Sequence, residues 1–193
     1  MPLGDVAEVN PRRLRVECEK VAFVPMAALD EVTGTIANPQ VRSAEEVSRG
    51  YTQFRRGDVI FARITPCMQN GKSAIFDEPG LEFGFGSTEF HVVRPHPEGP
   101  SASWLHAVLR SRWFKNAAIE KFSGTAGQQR VSSAALKELL IPVPVEARAS
   151  ELLRRLARLE ASRRSLQSLT AERRDVAAAL LPAARNQAFA ELT

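Results

Sequence analysis

Apolar and polar positions alternate differently in two parts of this 193-residue chain. Over most of its length, short apolar runs are separated by Gly, Pro, Asn and Asp, a strand-and-turn rhythm. "VAFVPMAALD" (21–30) predicts a short strand and a turn, and "EVTGTI" (31–36) a turn returning to extended chain. "RRGDVIFARI" (55–64) predicts a Gly-Asp turn followed by a strand. Alternation puts Ile60, Ala62 and Ile64 on one face of that strand, and Val59, Phe61 and Arg63 on the other. "TPCMQNG" predicts a polar loop closed by an Asn70-Gly71 turn before "KSAIF". "GLEFGFGSTEFHVVRP" (80–95) predicts a Gly-interrupted approach to a strand at 88–94, which Pro95 stops.

The period then changes. From Ser103, apolar residues recur every three to four positions at Trp104, Leu105, Val108, Leu109, Trp113, Phe114, Ala117, Ala118 and Phe122. A serine N-cap and the Gly124 stop frame this helical stretch, with Trp113 and Phe114 assigned to the core. "GTAGQQRVSSAALKELLIPVPV" (124–145) adds a polar loop, a Ser-capped turn and a Pro-punctuated apolar strand. From Glu146 to Leu181 neither Gly nor Pro occurs, and a 4-3 spacing selects Leu152, Leu156, Leu159, Arg163, Leu166, Thr170, Arg173, Ala177 and Leu180. Such a helix reaches roughly 54 Å, too long to hide against a domain this small, so it predicts a partner helix. Pro182 is expected to end or kink it. The fold class expected is α+β: a compact β-rich domain with short helices over 1–145, then a long pairing helix and tail over 146–193.

Charge sharpens this division. Residues 1–145 carry 17 Lys and Arg against 16 Asp and Glu, while residues 146–185 carry 9 Arg against 5 acidic residues. The first part cannot hold nucleic acid by bulk charge and needs local clusters. One candidate is Arg42, Arg49, Arg55, Arg56, Arg63 and Lys72, opposed by Glu45, Glu46 and Asp58; a solvated basic surface is the alternative. Cys18 and Cys67, few and far apart, read as free thiols of a reducing cytoplasm. No apolar run approaches a membrane span, and no secretory leader pattern opens the chain.

Catalytic motifs are absent from the sequence. The Gly124–Arg130 loop lacks the Gly-Lys-Ser/Thr of a nucleotide-phosphate loop. His91, His96 and His106 show no metal-protease spacing, and two distant cysteines do not make a zinc site. "FGFGS" (83–87) precedes a strand with no prompt helix, unlike a methyl-donor loop. No Asp/Glu-x-Lys appears, and capping accounts for Ser132 and Ser133. The expectation is a non-catalytic chain with no cofactor and no metal.

What remains is polar side chains concentrated on three loops: Thr65, Gln69, Asn70 and Lys72; Ser87, Thr88 and Glu89; Thr125, Gln128, Gln129 and Arg130. Gln, Asn and Arg make paired hydrogen bonds to base edges, while Lys, Ser and Thr suit phosphates. Ordinary loop solvation is the competing reading.

The order of segments resembles the DNA specificity subunits of type I restriction-modification systems, over essentially the whole chain. The resemblance rests on Gly57-Asp58 with Phe61-Ala62-Arg63, on Gly71-Lys72, on Ser87-Thr88-Glu89, and on Gly127-Gln128 with Arg130 before "IPVPV". Ala188-Phe189 with Glu191-Leu192 completes it. The resemblance implies one target recognition domain plus one spacer helix, reading half of a split double-stranded DNA site for host defence. DNA contacts are then expected from Arg63, Thr65, Gln69, Asn70, Lys72, Ser87, Thr88, Gln128, Gln129 and Arg130. Helix pairing is expected through Leu152, Leu156, Leu159, Leu166 and Leu180, by self-association or with a second specificity chain. Implied partners are adenine-methylating modification subunits and a restriction/translocase subunit in the cytoplasm, with no membrane. A common member carries two recognition domains and two helices. One of each here implies a half-subunit that dimerises, or a truncated gene product. "EARAS" also departs from the usual Glu-Gln helix start. A degenerate chain acting only as a helical adaptor is the alternative.

Overall fold

The computed structural model describes residues 1–125 and 128–190; the side chains of 164, 167, 171, 174–177 and 179–190 stand outside that description. Two compact units result, Met1–Glu146 and Ala147–Thr193. The first opens with α1 (Leu3–Val6), β1 (Ala7–Val9) and β2 (Lys20–Val24), then β3 (Gln40–Ser43) and α2 (Ala44–Val47). It continues through β4 (Thr52–Arg55), β5 (Val59–Ala62), α3 (Cys67–Asn70), β6 (Ser73–Ile75), β7 (Phe83–Gly86) and β8 (Phe90–Pro95). The last elements of this unit are α4 (Ala102–Arg110), α5 (Arg112–Ile119), β9 (Phe122–Ser123), β10 (Arg130–Val131) and α6 (Ser133–Glu138). The second unit holds α7 (Glu146–Ala190).

The architecture is α+β, as expected, with two four-stranded sheets ordered β1-β8-β5-β6 and β3-β2-β7-β4. The first is antiparallel throughout, and the second contains one parallel pair, β2 with β7. Ile60, Ala74 and Val92 of the first sheet share a core with Ala22, Val24 and Phe54 of the second. The opposite face of the first sheet is covered by helix, where the Phe61 and Phe114 rings meet edge-on at 6.2 Å. This layering explains why all four residues of β5 are buried, although alternation alone suggests one hidden face.

Several local expectations need correction. The approach at 80–87 contains a central strand, β7. Its Phe-Gly alternation sends Phe85 to the outer cluster of Val21, Phe23 and Val47. A Cβ at Gly84 would strike the Phe54 ring, and one at Gly86 the Val24 carbonyl, so glycine is required where this strand faces the core. "TPCMQNG" contains the single-turn helix α3, which Gly71 terminates in the left-handed region (φ 83°). The helical stretch after Pro100 is two helices. Ser101, not Ser103, caps the first, accepting from Trp104 N–H, and Ser111 caps the second, accepting from Phe114 N–H. That break turns Trp113 outward, 54% exposed, while Phe114 is buried. Ser132 caps α6 as expected.

Helix α7 runs 45 residues, through Pro182 to Ala190, and so extends about 67 Å. A proline removes one main-chain donor, yet the helix continues through it. Leu156, Leu159, Leu166 and Leu169 are exposed on it and Leu152 is half-buried, whereas the Leu180 side chain and Glu191-Leu192 lie outside the described residues. Averaged over the full helix, apolar residues favour no single face. The leucine spacing belongs to its first half.

Candidate nucleic-acid interface

The exit of β5 lies beside the entry of β8, because these strands pair antiparallel from Val59↔Val93 to Ala62↔Phe90. The ladder continues past both strands, with Arg63 N–H donating to Glu89 O at 2.9 Å. On the other side of that exit, Val131 N–H donates to Arg63 O and Thr65 N–H to Gln129 O, each at 3.0 Å. Ile64 and Arg130 form an antiparallel bridge between these two bonds. Three segments far apart in sequence are thereby locked side by side, and the side chains of Arg63, Glu89 and Arg130 meet.

Glu89 is shared by both arginines. Arg63 Nε donates to its Oε2 at 3.1 Å. Arg130 Nε donates to Oε1 and Oε2 at 3.1 and 2.9 Å, and its Nη2 donates to Oε1 at 2.8 Å. A further bond runs from Arg130 Nη1 to Gln128 O at 2.8 Å. The Arg130 hydrogen bond, opposed by partial burial and reinforced by Arg63, holds the Glu89 carboxyl below its usual range. Glu89 in turn raises the Arg130 guanidinium. The side chains of Arg63 and Arg130 remain 36% and 35% exposed, so the cluster presents a net positive charge to solvent.

A buried histidine supports this arrangement from beneath. His91 Nε2 lies 2.9 Å from Val131 O and its Nδ1 lies 3.0 Å from Asn10 Nδ2. A carbonyl only accepts, so the ring proton sits on Nε2 and Nδ1 accepts from the Asn10 amide. Burial pushes the His91 pKa down to about 4, which keeps the ring neutral at physiological pH.

Of the ten expected contact residues, seven belong to the segments that build this cluster. Beside Arg63 and Arg130, Ser87 Oγ accepts from Glu89 N–H at 3.2 Å and shapes the turn that carries it. Thr88 and Gln128 are exposed and Gln129 is half-buried. The Thr65 hydroxyl is buried with no partner among the described residues. Gly127 lies outside them.

The other three residues sit around α3 and mostly hold the fold. Lys72 Nζ donates to Leu29 O at 3.0 Å and Met26 O at 3.4 Å, and Asn70 Nδ2 donates to Glu31 Oε2 at 3.1 Å. Gln69 is exposed, with its carbonyl accepting from Lys115 Nζ at 3.1 Å. The six-residue basic cluster does not act as one group. Arg42 stacks 4.5 Å over the Phe23 ring, and Arg56 bonds Glu78 O and Leu81 O. Asp58 turns inward to Arg94.

Glu89 stands among the polar loop residues but not in the expected contact set, and an acidic side chain by itself repels a polyanion. Its signal was nonetheless present, in its place beside Ser87-Thr88 at the start of a strand. Among the described residues no cluster of His, Cys, Asp or Glu is arranged to hold a metal, and no helix is long and apolar enough to cross a membrane. Cys18 and Cys67 are free.

No protein-family model matches the chain. The specificity subunit of the type I restriction enzyme EcoAI from Escherichia coli is 32% identical over 74% of this chain and 24% of its own length. That of EcoEI, also from Escherichia coli, is 28% identical over 98% of this chain and 33% of its own length. The chain therefore spans about a quarter to a third of these relatives. The crystal structure of the HsdS subunit from Thermoanaerobacter tengcongensis superposes with a TM-score of 0.73 at 25% identity, over 89% of this chain and 44% of that one.

Proposed function

Because the chain is a homologue of type I restriction enzyme specificity subunits and spans one recognition-domain-sized half of a subunit, we propose that it recognises a defined double-stranded DNA sequence. Its first unit reads one half of a split target and α7 pairs with another helix, its own copy or a second specificity chain, to set the separation. The family assembles with methyltransferase and restriction subunits into the type I complex. In this proposal the chain directs those subunits in the cytoplasm and is itself non-catalytic, as specificity subunits are.

The observation that carries the reading is the pair of solvent-facing guanidiniums anchored on one carboxylate where three segments converge. Rigid, directional donors suit base edges, and an almost neutral domain leaves little bulk attraction to compete with them. The engagement of Lys72 with backbone carbonyls, and of Asn70 with Glu31, favours the second reading, an adaptor whose loops only hold the fold. Expression with the cognate modification subunit, followed by modified-base sequencing of the host, separates the two. Recognition yields one reproducible methylated motif. An adaptor yields none, and that result rejects the first reading.

A further inference from the structure

The Arg63–Glu89–Arg130 cluster has more directional detail than a basic patch requires. A guanidinium has five N–H donors in a fixed plane. For Arg130, the Nε donor and one Nη2 donor go to Glu89, and one Nη1 donor goes to Gln128 O. By that count, among the described residues, one N–H remains on each terminal nitrogen. Two donors in one plane match a pair of acceptors, and the major-groove edge of guanine offers such a pair in O6 and N7.

Phosphate oxygens accept the same geometry, but the surroundings favour a base. Phosphate attraction grows with unneutralised charge, and here one carboxylate is placed between two arginines, lowering the charge of the group from +2 to +1. What that sacrifice provides is direction. Bonds on both Glu89 oxygens and on the Gln128 carbonyl restrict rotation of the Arg130 plane, and alignment matters far more for an edge than for a diffuse anion.

We propose that Arg130 reads a guanine through its two remaining N–H groups, and that Glu89 is a positioning residue acting through Arg130, with Arg63 as its second anchor. This rests on the DNA-recognition reading above and names the residue pair that sets one base pair of the target.

The test uses the whole chain with its modification subunit, reading the methylated motif of the host by modified-base sequencing. Arg130→Lys keeps the charge but loses the fork, and is expected to lower the preference for guanine at one G·C position by roughly 5- to 150-fold while sparing the others. Glu89→Gln is expected to relax the same position less, since one carbonyl acceptor survives. Because Glu89 works through Arg130, the double variant relaxes that position no further than Arg130→Lys alone, a result a merely structural role does not produce. Thermal melting of Arg130→Lys, a largely surface change, establishes that it is folded. An unchanged motif in folded Arg130→Lys overturns the proposal. So does relaxation at different positions in the two single variants, or a uniform fall across all sites with a shallower salt dependence, which marks a phosphate contact. A wild-type chain that yields no motif rejects the DNA reading itself, which separates the two failures.

Discussion

The two ends of β5 each hold a carboxylate bound by arginine, and they do opposite work. At the entry, Asp58 is 1% exposed and receives Arg94 through two bonds, Nε to Oδ1 at 2.7 Å and Nη2 to Oδ2 at 2.8 Å. Its Oδ2 also accepts from Arg55 N–H at 2.8 Å, which closes the turn into the strand. At the exit, Glu89 is 25% exposed and shared by two arginines that face solvent. The same chemistry therefore serves the fold where water is excluded and remains available for a ligand where water enters. Burial, more than residue type, separates a structural ion pair from a candidate binding one.

The largest effect that sharpens this contrast comes from the buried end. Asp58→Ala strands the Arg94 guanidinium and opens the turn, and is expected to cost about 3–5 kcal/mol in urea unfolding. A loss near that of a surface pair would erase the distinction. An intermediate effect comes from pH. The folded pKa of His91 is about 4, below the ordinary 6.5, and burial has pushed His106 to about 4 as well. Between those values the unfolded chain binds more protons than the folded one, so stability is full above pH 6.5 and falls as pH drops toward 4. Each histidine contributes up to about 3 kcal/mol to that fall. His91→Gln is expected to flatten the slope between pH 6.5 and 5, where ordinary carboxylates have yet to titrate. A slope unchanged in that variant would remove His91 from beneath the cluster. The smallest effect belongs to the exposed end. Glu89→Ala is expected to cost about 1 kcal/mol or less in the same urea assay. A loss matching Asp58→Ala would make Glu89 a structural residue like its counterpart.

Much of the first unit was legible from local pattern. Val59–Ala62 and Phe90–Pro95 are strands where apolar runs and turn residues predicted them. The Ser132 cap stands where its sequence placed it. Errors gathered where a neighbour overrides local preference. The glycines of β7 read as interruptions because the ring and carbonyl they accommodate, on Phe54 and Val24, come from other strands. Trp113 and Phe114 share one apolar pattern, yet a helix break sends only Phe114 inward. At the candidate site, Arg63 was legible at the end of a strand and Arg130 as a polar loop residue, but Lys72 looked equally available. Only its bonds to Met26 O and Leu29 O reveal that it is already engaged.

By itself the sequence determined the alternation of strands and turns, the Ser132-capped helix start and the Gly-free helix from Glu146. Each of these is written in residues a few positions apart, and short-range sterics and hydrogen bonding act over that span. Tertiary structure alone decided that Glu89 sits between Arg63, 26 residues before it, and Arg130, 41 residues after it. No periodicity carries that information. It arises when antiparallel pairing of β5 with β8 and the bridge to β10 bring three distant segments within hydrogen-bonding distance, and their backbone bonds fix which side chains meet.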